Sequence, residues 1–144
     1  MNTDRGKVLI WVAIGLALAI GASACTPGEQ QVYGLGDVVD VGSDQRWVLS
    51  GTAYSGDVLE AGFTIENVGT EDTGYNLVLS LQARNTQGDP LSQVILCGSN
   101  LDGSLHPGET ATGVICWNTE GETVVRIHYL VLLADSNILW EVMR

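Results

Sequence analysis

The chain has 144 residues, of which 45% are hydrophobic and 16% charged, so it is too apolar for a disordered protein and fits one small domain. It holds 6 basic and 17 acidic residues, a net charge of −11. This excess of acid argues against nucleic-acid binding, because phosphate contacts need clustered Lys and Arg.

Residues 1–24 have the pattern of a bacterial export signal. Two basic residues precede the apolar run 8–24, and small residues lead directly to Cys25. The Ala-Ser-Ala-Cys stretch that ends at Cys25 resembles the lipobox of bacterial lipoproteins, although Ala22 stands where leucine is usual. In that class the cysteine thiol receives a diacylglyceryl group, and cleavage makes the cysteine the first residue of the mature protein.

We therefore predict a lipid-anchored protein that is held at Cys25 on the extracytoplasmic face of the cell membrane. Two alternatives remain: an ordinary signal that is cut after Ala24 and releases a soluble protein, and an uncleaved membrane helix, for which the run 8–24 is short. Without the signal the chain keeps four basic and sixteen acidic residues and no lysine. Such a surface favours solubility and is repelled by anionic lipid.

The mature chain is predicted to begin with a flexible linker over residues 25–36, which are polar and contain Pro27 and three glycines. Residues 37–144 are predicted to form one domain, in which short apolar alternations are separated by turn signals and no amphipathic helix is evident. The predicted strands cover 38–41, 46–53, 59–68, 76–83, 93–97, 109–117, 123–134 and 138–143.

Alternation is clearest in the two central predicted strands. In 59–68, Ala61, Phe63 and Ile65 share one face, and in 76–83 the four inward positions are expected to be Leu77, Leu79, Leu81 and Ala83. A long polar loop is expected over 98–108, and a tight turn over 135–137 is expected to make a C-terminal hairpin. The pattern predicts an all-β, immunoglobulin-like antiparallel β-sandwich of seven to eight strands.

The cysteine count agrees with both an anchor and a disulfide. If Cys25 carries lipid, Cys97 and Cys116 remain, and a bond between them is expected outside the cell. The alternative is two buried free thiols. Zinc is not expected, because His106 and His128 have no zinc-site spacing relative to these cysteines, and no metal or other cofactor is predicted. We expect His128 to face solvent from its strand.

Three segments together resemble a known family. The stretch from Leu105 through Pro107-Gly108-Glu109 to Trp117 is similar to the "L-x-PGE-T-x-x-G-x-x-x-F" segment of telokin-like, immunoglobulin-like bacterial lipoprotein domains (the DUF4352 type). Upstream, LEAGFTIENVGTE over 59–71 resembles their strand ending in "N-x-G", and 36–39 their opening "G-D-x-V". The resemblance covers residues 36–133 and implies an extracytoplasmic sandwich, but no agreed chemistry.

The sequence favours a binding or interaction module with an envelope or extracellular protein partner. The candidate binding loops are 54–57, 69–75 and 98–106, and the residues singled out in them are Tyr54, Asp57, Glu71, Asp72 and Tyr75. The alternative for both tyrosines is that they cover the core. The other functions considered are a purely structural envelope protein and a soluble secreted β-sandwich accessory domain.

An enzyme is not predicted, because no nucleophile elbow, metalloprotease motif or phosphate loop is present. The carboxylates Asp57, Glu60, Glu66, Glu71 and Asp72 could in principle pair as in glycosidases, but an acidic chain forms such clusters by chance. A calcium site at 71–72 or 135–137 is the remaining candidate, and neither segment has EF-hand spacing.

Overall fold

The computed structural model describes residues 29–144, so the signal run and Cys25 lie outside the described residues. Strands dominate, with one helical turn, α1, and one 3₁₀ turn at Ile95–Cys97. The elements in chain order are β1 (Gln31–Tyr33), β2 (Val38–Val41), β3 (Gln45–Ser55), β4 (Val58–Asn67), β5 (Thr73–Asn76), α1 (Leu77–Ser80), β6 (Leu81–Arg84), β7 (Asp102–Leu105), β8 (Thr110–Asn118), β9 (Val124–Val131) and β10 (Ala134–Met143).

Two four-stranded sheets pack face to face, one with the order β1-β10-β9-β6 and the other with the order β2-β3-β4-β8, while β5 and β7 form a small separate ribbon. Aromatic side chains join the two sheets: the Phe63 and Trp140 ring centroids lie 5.0 Å apart, and those of Trp47 and Tyr129 lie 5.3 Å apart. This arrangement confirms the predicted all-β, immunoglobulin-like sandwich. Among residues 29–144, no helix has the length and apolar character needed to cross a bilayer.

The strand β4 shows why the sequence folds this way. Its burial alternates over its whole length, and Leu59, Ala61, Phe63 and Ile65 are fully buried, as the alternation predicts. It is paired on both sides, with β3 and with β8, so its inward side chains form the centre of the core.

The predicted strand 76–83 is wrong in its first half. The Asn76 side chain accepts a hydrogen bond from the Leu79 backbone N–H at 3.0 Å and caps the helical turn α1. In this turn Leu77 and Leu81 are four residues apart and both point inward, whereas Leu79 points outward with 56% of its surface exposed. A local side-chain hydrogen bond has therefore replaced strand geometry.

The strand count and the strand directions also differ from the prediction, since residues 29–144 form ten strands rather than seven to eight. Gln31–Tyr33, expected in the linker, forms β1 and pairs in parallel with β10, so the sandwich is not wholly antiparallel. The expected loop 98–108 contains β7, and the expected strand 93–97 is largely a 3₁₀ turn. In each case a short segment gains or lacks pairing with a strand that is distant in the sequence, and local periodicity does not predict such pairing.

The C-terminal hairpin is present, but its turn lies before the predicted position. Val131 pairs with Ala134, so Leu132 and Leu133 are the two turn residues, and 135–137 belongs to β10. The register shifts between Asp135 and Leu139, where β10 carries a bulge. Inside the bulge the Ser136 hydroxyl donates to the Tyr129 carbonyl at 2.8 Å and accepts from the Ile138 N–H at 3.1 Å, which explains why turn-forming residues occupy a strand here.

Candidate functional site

An open apolar groove lies beside the turn between β9 and β10, and we call it the tip groove. Its volume is about 580 Å³, and its main side chains are Tyr75, Leu79, Tyr129, Val131, Leu132 and Leu133. Ten residues line it and none of them is charged, although the chain as a whole is strongly acidic. An apolar contact with these lining residues therefore does not require the desolvation of an ion in the lining.

The turn residues themselves are unusual. Leu132 and Leu133 have φ values of 50° and 66°, so both are left-handed, and 97% and 72% of their surfaces are exposed. A two-residue hairpin turn with two positive φ values is of type I′, which normally holds Asn-Gly. A left-handed conformation costs an L-residue roughly 1–2 kcal/mol, and an exposed leucine recovers nothing by burial. Nothing in the fold itself therefore favours leucine at these two positions.

Two tyrosines connect the tip groove to the core. The Tyr129 ring packs edge-on against Trp47, and burial raises the pKa of Tyr129, with the carboxylate of Asp44 acting in the same direction. Tyr75 lies against Gly103, where an added Cβ would come within 2.9 Å of the ring. Gly103 thus leaves the space that the Tyr75 ring occupies. Both rings are half-buried and present a polar tip beside apolar leucines.

The structure separates the five residues that sequence reasoning singled out. Tyr54 and Asp57 lie at the end of the sandwich opposite the tip groove, where the Arg144 guanidinium is 5.0 Å from the Tyr54 ring centroid and 3.6 Å from an Asp57 carboxylate oxygen. Tyr54 packs against the core, and burial raises the pKa of Tyr54, while Arg144 opposes that shift. For this tyrosine the core-covering alternative describes its position.

Glu71 and Asp72 lie in the loop before β5, at the same end as the tip groove. The Asn67 side chain holds this loop by donating to the Glu71 carbonyl at 2.8 Å. Asp72 lies 2.7 Å from the His106 ring nitrogen, and this hydrogen bond raises the pKa of His106. Only Tyr75 of the five belongs to the tip groove. The candidate loops therefore lie at both ends of the sandwich, and their use in binding stays a prediction.

The two histidines lie in different surroundings, and one expectation about them was wrong. His106 is exposed, whereas His128 is 9% exposed rather than facing solvent, and it lies on β9 between the paired strands β6 and β10. Burial lowers the pKa of His128, and the nearby Arg84 acts in the same direction. Within residues 29–144 no three His, Cys, Asp or Glu side chains come together as metal ligands do.

The predicted disulfide is formed. Cys97 is bonded to Cys116, with a Cα–Cα distance of 6.0 Å, so the 3₁₀ turn is fixed to the edge strand β8. The alternative of two free thiols is thereby set aside. Cys25, the predicted site of lipid attachment, lies outside the described residues.

Five of the six main side chains of the tip groove were missed by sequence reasoning: Leu79, Tyr129, Val131, Leu132 and Leu133. A signal was present, because the run Tyr-Leu-Val-Leu-Leu-Ala over 129–134 breaks the alternation that precedes it, with leucine at both parities. A continuous apolar run at the end of an alternating strand is typical of a surface that is apolar on both faces.

The fold and the groove define the chain as a small β-sandwich protein. No family model matches it, and no curated protein matches it. Among the solved structures with a similar fold is the yjhA protein of Bacillus subtilis, at 18% identity and a TM-score of 0.61, with 77% of this chain and 98% of that chain covered. The secreted protein MPT63 of Mycobacterium tuberculosis has 19% identity and a TM-score of 0.59, with 81% of this chain and 100% of that chain covered. An uncharacterized β-sandwich protein of Clostridium difficile has 10% identity and a TM-score of 0.50, with 81% of this chain and 98% of that chain covered. At these identities the likeness shows the fold alone.

Proposed function

We propose that this chain is an extracytoplasmic binding module without enzymatic activity, held on the membrane by lipid on Cys25 and binding an apolar partner through the tip groove. The observation that carries this proposal is the Leu132-Leu133 turn. Two exposed leucines occupy backbone positions that disfavour them, next to an uncharged groove. Backbone strain and exposed apolar side chains are often found at sites where a protein contacts a partner.

The proposed location rests on the N-terminal pattern and the disulfide. Residues 1–24 followed by Cys25 have the order of a lipoprotein signal, and structural disulfides belong to oxidising compartments such as the cell exterior. The resemblance to DUF4352-type lipoprotein domains over 36–133 agrees with this location. Two acyl chains hold a protein firmly, whereas a single chain gives only marginal binding.

Two pairs among the acidic residues considered for glycosidase chemistry are too far apart for it. Asp57 and Asp72 lie at opposite ends of the sandwich, and Glu60 and Glu66 are six residues apart on β4, which separates their backbones by about 20 Å. Glycosidase carboxyl groups lie about 5–9.5 Å apart. Neither of these pairs is close enough to act on one glycosidic bond.

The test combines mass spectrometry with site-specific crosslinking on the full chain expressed in a bacterial host. We expect the mature N-terminal peptide to begin at Cys25 with a diacylglyceryl mass, and Cys25→Ala to abolish that species. A photo-crosslinking amino acid at position 133 should give adducts in the envelope, and the same amino acid at position 57 should not. An unmodified Cys25, or equal adduct yields at the two positions, would contradict the proposal.

A further inference from the structure

The pairing of β1 fixes the direction in which the N-terminal segment enters the domain. β1 is parallel to β10, with Gln31 opposite Ile138 and Tyr33 opposite Trp140. Followed backward from Gln31, the chain enters from the same side as β10 followed backward from Ile138. That side of β10 leads to Ala134 and the Leu132-Leu133 turn. The membrane-proximal segment and the tip groove are therefore at one end of the sandwich.

The length of chain between Cys25 and β1 also allows Cys25 to lie at this end of the sandwich. Leu133 precedes Ile138 by five residues on β10, a distance of at most about 17 Å along a strand. Cys25 precedes Gln31 by six residues, and six residues span no more than about 20 Å in any conformation. A lipid on Cys25 can therefore lie level with the hairpin turn, but it cannot reach far beyond it. The domain has too little tether to stand well away from the bilayer.

The chemistry of this end matches a bilayer interface. Four large apolar side chains are exposed around it, namely Leu79, Val131, Leu132 and Leu133, and the half-buried Tyr75 and Tyr129 lie beside them. Leucines that enter the acyl boundary, with tyrosines at headgroup level, are the usual composition of an interfacial contact.

Two of the carboxylates at this end have an ionic or hydrogen-bonding partner, while Glu71, Asp72 and Asp102 are exposed nearby. Asp135 is paired with Arg84 at 2.8 Å, and Asp44 accepts a hydrogen bond from Thr73 at 3.1 Å. No lysine remains in the mature chain, so the contact gains nothing from anionic lipid and depends on apolar insertion.

From these observations we infer that the partner of the tip groove is the bilayer itself, with Leu132 and Leu133 inserted among the acyl chains beside the anchor. This inference rests on the proposed lipid attachment at Cys25. The contact sets the orientation of the domain, so that the end with Tyr54, Asp57 and Arg144 faces away from the membrane. A protein partner for the same groove is the competing occupant.

The experiment uses the full chain, extracted with detergent and reconstituted in phosphatidylcholine vesicles with or without brominated acyl chains. One variant carries Leu133→Trp, which places a reporter in the turn, and the matched control carries Asp57→Trp in the opposite hairpin turn. The native Trp47, Trp117 and Trp140 are buried and give the same background in both. We expect brominated lipid to quench roughly half of the added emission at 133 and almost none at 57, because interfacial side chains enter about 5–10 Å.

Mass spectrometry of the same sample separates the possible failures. If Cys25 is lipidated and the reporters at positions 133 and 57 are quenched equally or not at all, the inference is overturned while the anchoring stands. A protein crosslinked from position 133, with no quenching there, overturns it in favour of a protein partner. If Cys25 is unmodified, the anchoring fails, and vesicles added to the soluble chain decide whether the turn contacts lipid without an anchor: no quenching at 133 overturns the inference as well.

Discussion

Two hairpin turns of the sandwich, each with two central residues, are built from residues of opposite character. The turn between β3 and β4 is made by Gly56 and Asp57, with Gly56 supplying the positive φ of 60°. The turn between β9 and β10 is made by Leu132 and Leu133, both with positive φ. The first turn uses residues that suit its backbone and ends in charge, whereas the second uses residues that oppose its backbone and ends in exposed apolar surface.

Local stability does not account for the residues of the second turn. Glycine adopts positive φ without steric penalty, and the carboxylate of Asp57 meets Arg144 in solvent. The two leucines carry a conformational cost that is not offset by burial in the domain. A gain outside the domain, by contact with an apolar partner, is what would balance that cost.

The largest expected effect on stability comes from removing the disulfide, which should leave the lipid contact of the second turn unchanged. Replacing both cysteines, Cys97→Ala with Cys116→Ala, should lower the free energy of unfolding by about 3 kcal/mol, because the bond closes a loop of about 20 residues. Chemical denaturation monitored by tryptophan fluorescence would measure this. The turn at 132–133 is untouched, so lipid quenching of the Leu133→Trp reporter, per folded molecule, should stay the same. A variant as stable as the parent would show that the disulfide is not a structural constraint.

A smaller loss of stability is expected when leucine is placed in the turn between β3 and β4, as it is in the turn between β9 and β10. Gly56→Leu should cost about 1–2 kcal/mol of folding stability, because positive φ disfavours a side chain. No atom lies within 4 Å of a Cβ placed on Gly56, so crowding does not contribute and the backbone cost is isolated. Asp57→Leu is the control, with an expected change of about 0.5 kcal/mol or less. Equal losses in the two variants, measured by urea denaturation, would show that the left-handed cost is overstated here.

The smallest effect concerns the pH dependence of the β9–β10 hairpin. Burial lowers the pKa of His128 in the folded protein, so the unfolded chain binds the proton more readily. The stability that this group contributes is therefore present above its unfolded pKa of about 6.5 and is lost as the pH falls below that value. Thermal melts between about pH 7.5 and pH 5 should show a decline that His128→Gln reduces. His106→Gln is the comparison: the hydrogen bond to Asp72 raises the pKa of His106, so removing this exposed histidine should keep the decline or steepen it, and should not reduce it.

How far the sequence predicts this molecule depends on whether a feature is local. The alternation in β4 is local and dense, so Ala61, Phe63 and Ile65 were correctly placed on one buried face. The fold class follows from many such segments together, and the pairing of Cys97 with Cys116 follows from the cysteine count.

The features that escaped prediction depend on contacts that are distant in the chain or on residues in unexpected backbone states. β1 has only three residues and becomes a strand because the edge of β10 is free to pair with it. The turn at Leu132-Leu133 was hidden because leucine is a strand residue, while Asp135, Ser136 and Asn137 carry the turn signal but form a bulge instead. The candidate site was missed for the same reason, since it is built on that turn.

The most direct test replaces the two leucines of the turn between β9 and β10 and measures folding stability and lipid contact on the same variant. In the double variant Leu132→Asn with Leu133→Gly, the type I′ turn receives the residues that suit it. We predict a free energy of unfolding higher by about 2 kcal/mol and, at the same time, a loss of vesicle contact, both measured against the parent chain. The expected result is thus a gain in folding stability together with a loss of lipid contact. A variant that is less stable than the parent, or one that keeps its full contact with vesicles, would contradict the account.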